Sequence, residues 1–169
     1  MKAKRVYLAG PDVFLPEAVE VGQALKALCA SAGLEGLYPL DNDAPTFNDP
    51  HRIAQWIAQA NIALIHQADY VVANLNNFRG LEPDSGTCFE VGMAIALGKP
   101  VFIYLSDHRP MVDKVPHDMN NLDDQGNHVE NFDLPINLML ACTAQGIYKD
   151  AKSAIQAAGA FAMKEQAHQ

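Results

Sequence analysis

The run Val101-Phe102-Ile103-Tyr104-Leu105 is apolar without alternation, and that one property restricts the fold more than any other. A strand with one wet face alternates polar and apolar residues, whereas an uninterrupted run implies cover on both faces. Arg5-Val6-Tyr7-Leu8-Ala9 and Asp69-Tyr70-Val71-Val72-Ala73-Asn74-Leu75 carry the same signature. Leu34 to Leu40 gives a less regular strand, and Gly146-Ile147-Tyr148 a short edge strand. The cover must come from the segments between them. Pro16 opens a helical pattern with Ala18, Val21, Ala24, Leu25, Leu28 and Cys29 on one face, stopped near Gly33. Asp49-Pro50 pairs an N-cap residue with proline at the first helical position, ahead of Ile53, Trp56, Ile57, Ala60, Ile62, Leu64 and Ile65. Val91, Met93, Ala94, Ile95 and Leu97 form a third helix, ended by Gly98 and Pro100. Residues 135–140 start a short helix and Ala151 to Met163 a closing one. Strands alternating with helices give an α/β fold, a flavodoxin-like doubly wound parallel five-stranded sheet of order 2-1-3-4-5, in a single domain over residues 1–169. Residues 106–131 are polar and irregular, and loops of that length in a compact domain usually carry function.

In such sheets ligands lie outside the carboxyl ends of the strands. The loop from Phe78 to Gly92 leaves a strand, carries Arg79, Glu82 and Asp84, and brings Glu90 into what reads as the first turn of the next helix. Strand order sets Tyr7, Gly10 and this loop around one crevice, with Asp41 and Asp43 at its rim. Two readings of Glu90 stay open. Thr87-x-x-Glu90 fits a capping box, in which Glu90 only ties up backbone N–H groups. Alternatively Asp69, Asp84 and Glu90 crowd at one strand end with Tyr7 facing them, and crowded carboxylates mark sites. One could then attack carbon while another moves a proton, and the helix dipole would favour ionised Glu90. Cys88 has no histidine pattern beside it, Ser85 lacks a G-x-S-x-G elbow, and the six histidines have no metal-ligand spacing.

A net charge of -8 argues against nucleic acid polymers, which need clustered cations, but leaves single nucleosides open. Three cysteines without CxxC spacing suit a cytoplasmic location. The N-terminus reads as a strand rather than a signal peptide, and no apolar run is long enough to span a bilayer.

Several motifs then resemble the nucleoside 2-deoxyribosyltransferase family, from Tyr7 to Leu140 and closest to its kinetoplastid-like branch. They are Tyr-Leu-Ala-Gly-Pro-x-Val-Phe (7–14), Pro-Leu-Asp-Asn (39–42), Ala-Asp-Tyr-Val-Val-Ala-Asn-Leu (68–75), Phe-Arg-Gly-x-Glu-Pro-Asp-x-Gly-Thr-x-Phe-Glu-Val-Gly (78–92) and Pro-Ile-Asn-Leu-Met-Leu (135–140). The resemblance implies an enzyme moving 2-deoxyribose between purine and pyrimidine bases in nucleotide salvage, without metal or cofactor. Glu90 would be the nucleophile that holds the sugar as an ester, with net retention and with hydrolysis as a side reaction. Tyr7 would orient Glu90. Asp69 would stand near the base, and Asp84 at a sugar hydroxyl or the base. Gly10, Phe14, Arg79, Gly86 and Met139 would line the substrate site. Asp43 stands near a position where some members place a glutamine against the base. Asn137 would reach the 5′-hydroxyl in a neighbouring subunit's site, which implies a homo-oligomer, dimer or hexamer. The tail from Lys164 to Gln169 lacks the aromatic end of some members. Within the same superfamily the alternative is a 2′-deoxynucleoside 5′-phosphate N-glycosidase, which would need a phosphate cradle where Gly10 to Phe14 offers Asp12 and apolar groups. A non-catalytic nucleotide-binding module is the alternative from another class.

Overall fold

The computed structural model describes residues 3–42, 45–46 and 48–167. In chain order the elements are β1 (Lys4–Ala9), α1 (Ala18–Ser31), β2 (Leu34–Leu37), α2 (Pro50–Gln67), β3 (Tyr70–Asn74), α3 (Ser85–Ala96), β4 (Val101–Tyr104), α4 (Met111–Lys114), α5 (Leu138–Ala141), β5 (Gly146–Tyr148) and α6 (Ala151–Ala167). The five strands are all parallel in the order β2-β1-β3-β4-β5, as the strand patterns require. Among the described residues no helix is long and apolar enough to cross a membrane.

Side-chain alternation along the buried strands divides the core into two layers. Val6, Leu8, Tyr70, Val72, Phe102 and Tyr104 meet α1 and α6 on one face. Tyr7, Ala9, Val71, Ala73, Val101 and Ile103 meet α2 and α3 on the other. The run 101–105 is apolar throughout because every second residue serves a different layer.

Local differences from the sequence reading have local causes. The second strand ends at Leu37 rather than Leu40, because Pro39 has no N–H for the ladder and begins a 3-10 turn over Pro39–Asp41. The first helix starts at Ala18, after a 3-10 turn over Pro11–Phe14. Asp49 caps α2 as expected, its carboxylate accepting from the N–H of His51 at 2.9 Å. The long segment after β4 is tied by side-chain turns at Asp118 and Asp123 and by an isolated Leu122–His128 bridge.

Candidate active site

The helix that carries Glu90 begins one turn earlier than its capping-box pattern suggests. Asp84 is the N-cap of α3, and its Oδ2 accepts from the Thr87 N–H at 2.8 Å and the Thr87 hydroxyl at 2.9 Å. Glu90 therefore lies in the second turn. It has no backbone amide to cap and stands beyond the reach of the helix-terminal dipole. The capping reading of Glu90 is corrected, and so is its placement in the first turn.

Alternation along β1 sends Tyr7 to the α2–α3 side, where it is fully buried. Its hydroxyl donates to Glu90 Oε1 at 2.6 Å, and Asn61 Nδ2 of α2 approaches the same oxygen at 3.5 Å. Both donors converge on Oε1, and none of the described residues engages Oε2. Burial pushes the Glu90 carboxyl up to about 7; the Tyr7 and Asn61 hydrogen bonds pull it down, and the Asp84 charge raises it further. Burial and the adjacent Glu90 charge drive the Tyr7 phenol far above its ordinary value, so it remains a donor at any physiological pH.

These groups form one wall of a cavity of about 360 Å³. Its lining combines polar Asp84, Thr87, Glu90 and Asn61 with apolar Val13, Phe14, Pro39, Leu40, Trp56 and Ile57. An apolar cavity with a few convergent polar groups is the usual form of a small-molecule site. Gly10 also borders it. A Cβ there would come within 2.5 Å of Asp12 Oδ2 and 2.8 Å of Asn74 Cβ, so the turn closes only around glycine.

Tyr7, Gly10, Phe14, Asp84, Gly86 and Glu90 are thus brought together at one strand end, Tyr7 through its hydroxyl alone. Asp69 is not. It precedes β3, at the amino end of a parallel strand, away from the cavity. There Oδ2 accepts from the Arg5 N–H at 2.7 Å and Oδ1 lies 3.6 Å from Lys4 Nζ. Its expected place near the base is corrected, because residues before a parallel strand face the opposite edge from residues after it. Asp41 is also occupied, taking Lys26 Nζ at 2.7 Å and the Tyr38 N–H at 2.9 Å, and Asn42 borders the cavity instead. Asp43 lies outside the described residues. Arg79 does not line the cavity; its guanidinium rests on the rings of Phe14 and Phe78.

Asn137 and Met139 border a separate hollow with Glu82, Pro83, Ser85, Cys88 and Leu140. Asn137 caps α5, its Oδ1 accepting from the Met139 N–H at 3.0 Å, while its amide donates to Glu130. Met139 is 66% exposed. Burial, and then the Asp84 charge, raise the Cys88 thiol above its ordinary value, the wrong direction for a rival nucleophile.

Among the cavity residues that escape the sequence reading, two stand out. Trp56 and Asn61 lie five residues apart on α2, within a pattern read as an apolar helix face. Asn61 Oδ1 is buried with no hydrogen-bond partner among the described residues, which at the wall of a cavity marks an acceptor open to a ligand's N–H or O–H. The available signal was the lone amide among apolar positions of that face.

A 2-deoxyribosyltransferase of Leishmania mexicana superposes with a TM-score of 0.79 at 37% identity, covering 93% of this chain and 97% of that one. A 2-deoxyribosyltransferase of Bacillus psychrosaccharolyticus, 19% identical, shares the fold with a TM-score of 0.60 over 88% of each chain. An uncharacterized protein of Schizosaccharomyces pombe is 33% identical over 117 residues, which span 68% of this chain but only 56% of the yeast protein. The nucleoside 2-deoxyribosyltransferase profile matches residues 6–139, from β1 to the turn that holds Asn137 and Met139. With that match over most of its length, the chain belongs to the nucleoside 2-deoxyribosyltransferase family.

Proposed function

We propose that this protein transfers 2-deoxyribose from a 2′-deoxynucleoside to a free nucleobase by double displacement through Glu90. The observation that carries the reading is the one-sided hydrogen bonding of that carboxylate: Tyr7 and Asn61 hold Oε1, none of the described residues engages Oε2, and Glu90 lines the cavity. In the first step Oε2 attacks the anomeric carbon. The C–N bond breaks, its electron pair leaves with the base, and the base gains a proton. In the second step the incoming base gives up a proton and its nitrogen attacks the same carbon; the ester bond breaks and its pair returns to Glu90. Two inversions give net retention. Water in place of the second base yields the hydrolytic side reaction. A carboxyl poised at about 7 is partly ionised at neutral pH, as a nucleophile that must also leave requires.

The lining suits both parts of a nucleoside: the apolar side chains suit a planar base, and Asp84 and Thr87 suit the sugar hydroxyls. Asn137 and Met139 stand outside this cavity, so they would serve a neighbouring subunit's site in a homo-oligomer.

The test is incubation with deoxyinosine and a second base, with products identified by chromatography. A 2′-fluoro-2′-deoxynucleoside should slow the second step and leave a sugar adduct on the peptide containing Glu90, visible by mass spectrometry. An adduct on Cys88, or an inverted product, would sink the mechanism.

A further inference from the structure

Phe14 lines the cavity although it is 60% exposed. A ring that bare would ordinarily turn freely about its side-chain bonds. Here Phe78 stacks against it, with ring centroids 5.3 Å apart and planes within 20°. The Arg79 guanidinium lies 4.6 Å from the Phe78 centroid and 5.5 Å from that of Phe14, so one cation touches both rings. It takes that position although Glu82 and Asp84 are near in sequence, and it forms no ion pair among the described residues. The backbone is bent to achieve this. Arg79 has φ 54, a left-handed conformation uncommon for a side-chain-bearing residue, and Gly80 follows at φ 153. The Phe78 N–H to Glu82 carbonyl bond, 2.9 Å, closes the loop around them. A strained residue held by its surroundings points to a role in the site it borders.

Neither Phe78 nor Arg79 lines the cavity. Phe78 stacks on Phe14 without lining the cavity itself. Resting on the proposed nucleoside chemistry, we propose that Phe78 and Arg79 are positioning residues that brace Phe14 as a fixed flat face on which the substrate's heterocycle stacks. Arg79 then acts through Phe14 and does not touch the substrate. Selection among planar bases is accordingly set in part by a loop outside the pocket.

The decisive experiment is a set of double-mutant cycles read in KM for an acceptor base. Phe14→Ala should raise the KM for adenine about tenfold, the scale of one aromatic–base stack. Arg79→Ala and Phe78→Leu should each raise it about three- to fivefold, with the loss in KM rather than kcat. Phe78→Tyr, which keeps the ring, should restore most of it. In the Phe14→Ala background the Arg79 and Phe78 changes should add less than about 1.5-fold, because residues that act through one group are not additive. Adenine binding to each protein can be followed independently by fluorescence of the chain's single tryptophan, Trp56, which borders the cavity.

Full additivity in the Phe14→Ala background would mean that Arg79 meets the substrate directly, and would overturn the brace. So would wild-type adenine affinity in Arg79→Ala. Wild-type protein that transfers deoxyribose but shows either result loses this inference alone. Wild-type protein that neither transfers deoxyribose nor binds adenine loses the functional reading together with it.

Discussion

Two tyrosines on adjacent strands, one register step apart, each donate a hydrogen bond to a glutamate, and the two pairs have little else in common. Tyr7 points to the α2–α3 face and meets Glu90; Tyr70 points to the α1–α6 face and meets Glu165. Both rings are buried. The difference lies around the carboxylates. Lys4 Nζ stands 3.7 Å from Glu165 and 3.6 Å from Asp69 and also lies over the Tyr70 ring, in a partly exposed cluster. Glu90 has Tyr7, Asn61 and Asp84 for neighbours, none of them cationic, and is drawn up to about 7 by burial. A tyrosine–carboxylate hydrogen bond is therefore no mark of chemistry in itself. Beside a lysine it fastens the end of a helix; buried without a counter-charge among the described residues, it holds the carboxylate we propose as the nucleophile.

The strongest way to break this contrast is to neutralise each carboxylate in turn. Glu90→Gln should lower deoxyribosyl transfer by at least about a thousandfold, since the amide keeps the shape and loses the nucleophile. Glu165→Gln should leave the transfer rate within about twofold. Comparable losses from both would erase the distinction. Removal of the hydroxyls sharpens it. Tyr7→Phe should reduce kcat about ten- to a hundredfold, the scale of a hydrogen bond to a charged group, and shift the acid limb of the pH–rate profile upward, because a donor to the ionised form is gone. Tyr70→Phe should cost about 1 kcal/mol of stability and leave that limb in place.

Stability against pH separates the two pairs without any substrate. Glu90 rises from an ordinary 4.5 to about 7 on folding. Between those values the unfolded chain releases a proton that the folded chain keeps, so stability falls as pH rises through the window and levels off above it. The loss is on the order of a few kcal/mol. Glu90→Gln should flatten this part of the profile and melt higher than wild type at pH 8, measured by calorimetry. A steeper profile in the variant would contradict the assigned burial. The smallest effect belongs to the exposed cluster: Lys4→Met should cost less than about 1 kcal/mol, and less still at high salt.

The fold was largely legible in the sequence, because uninterrupted strands and alternating helices leave few topologies. Strand order sets Tyr7 toward the carboxylates, and its pairing with Glu90 in particular is what the family resemblance implies. Asp69 was misplaced because sequence proximity to a site strand was read without regard to which end of the strand it precedes. Asp84 was taken for a site carboxylate, with no sign in the sequence that it also caps α3. Trp56 and Asn61 were missed for another reason: an apolar helix face reads the same whether it meets a core or the wall of a cavity. Residues 106–131 carry no periodic pattern, so their turns were not readable in advance.

The convergence of both donors on Oε1 has one more consequence under the proposed chemistry. While the sugar is held through Oε2, Oε1 is the ester carbonyl and keeps the Tyr7 and Asn61 hydrogen bonds it had as part of a carboxylate. No protein group has to move between the outward and return steps. The outward and return steps then meet the same pair of donors, so a loss of either donor would slow transfer in both directions alike.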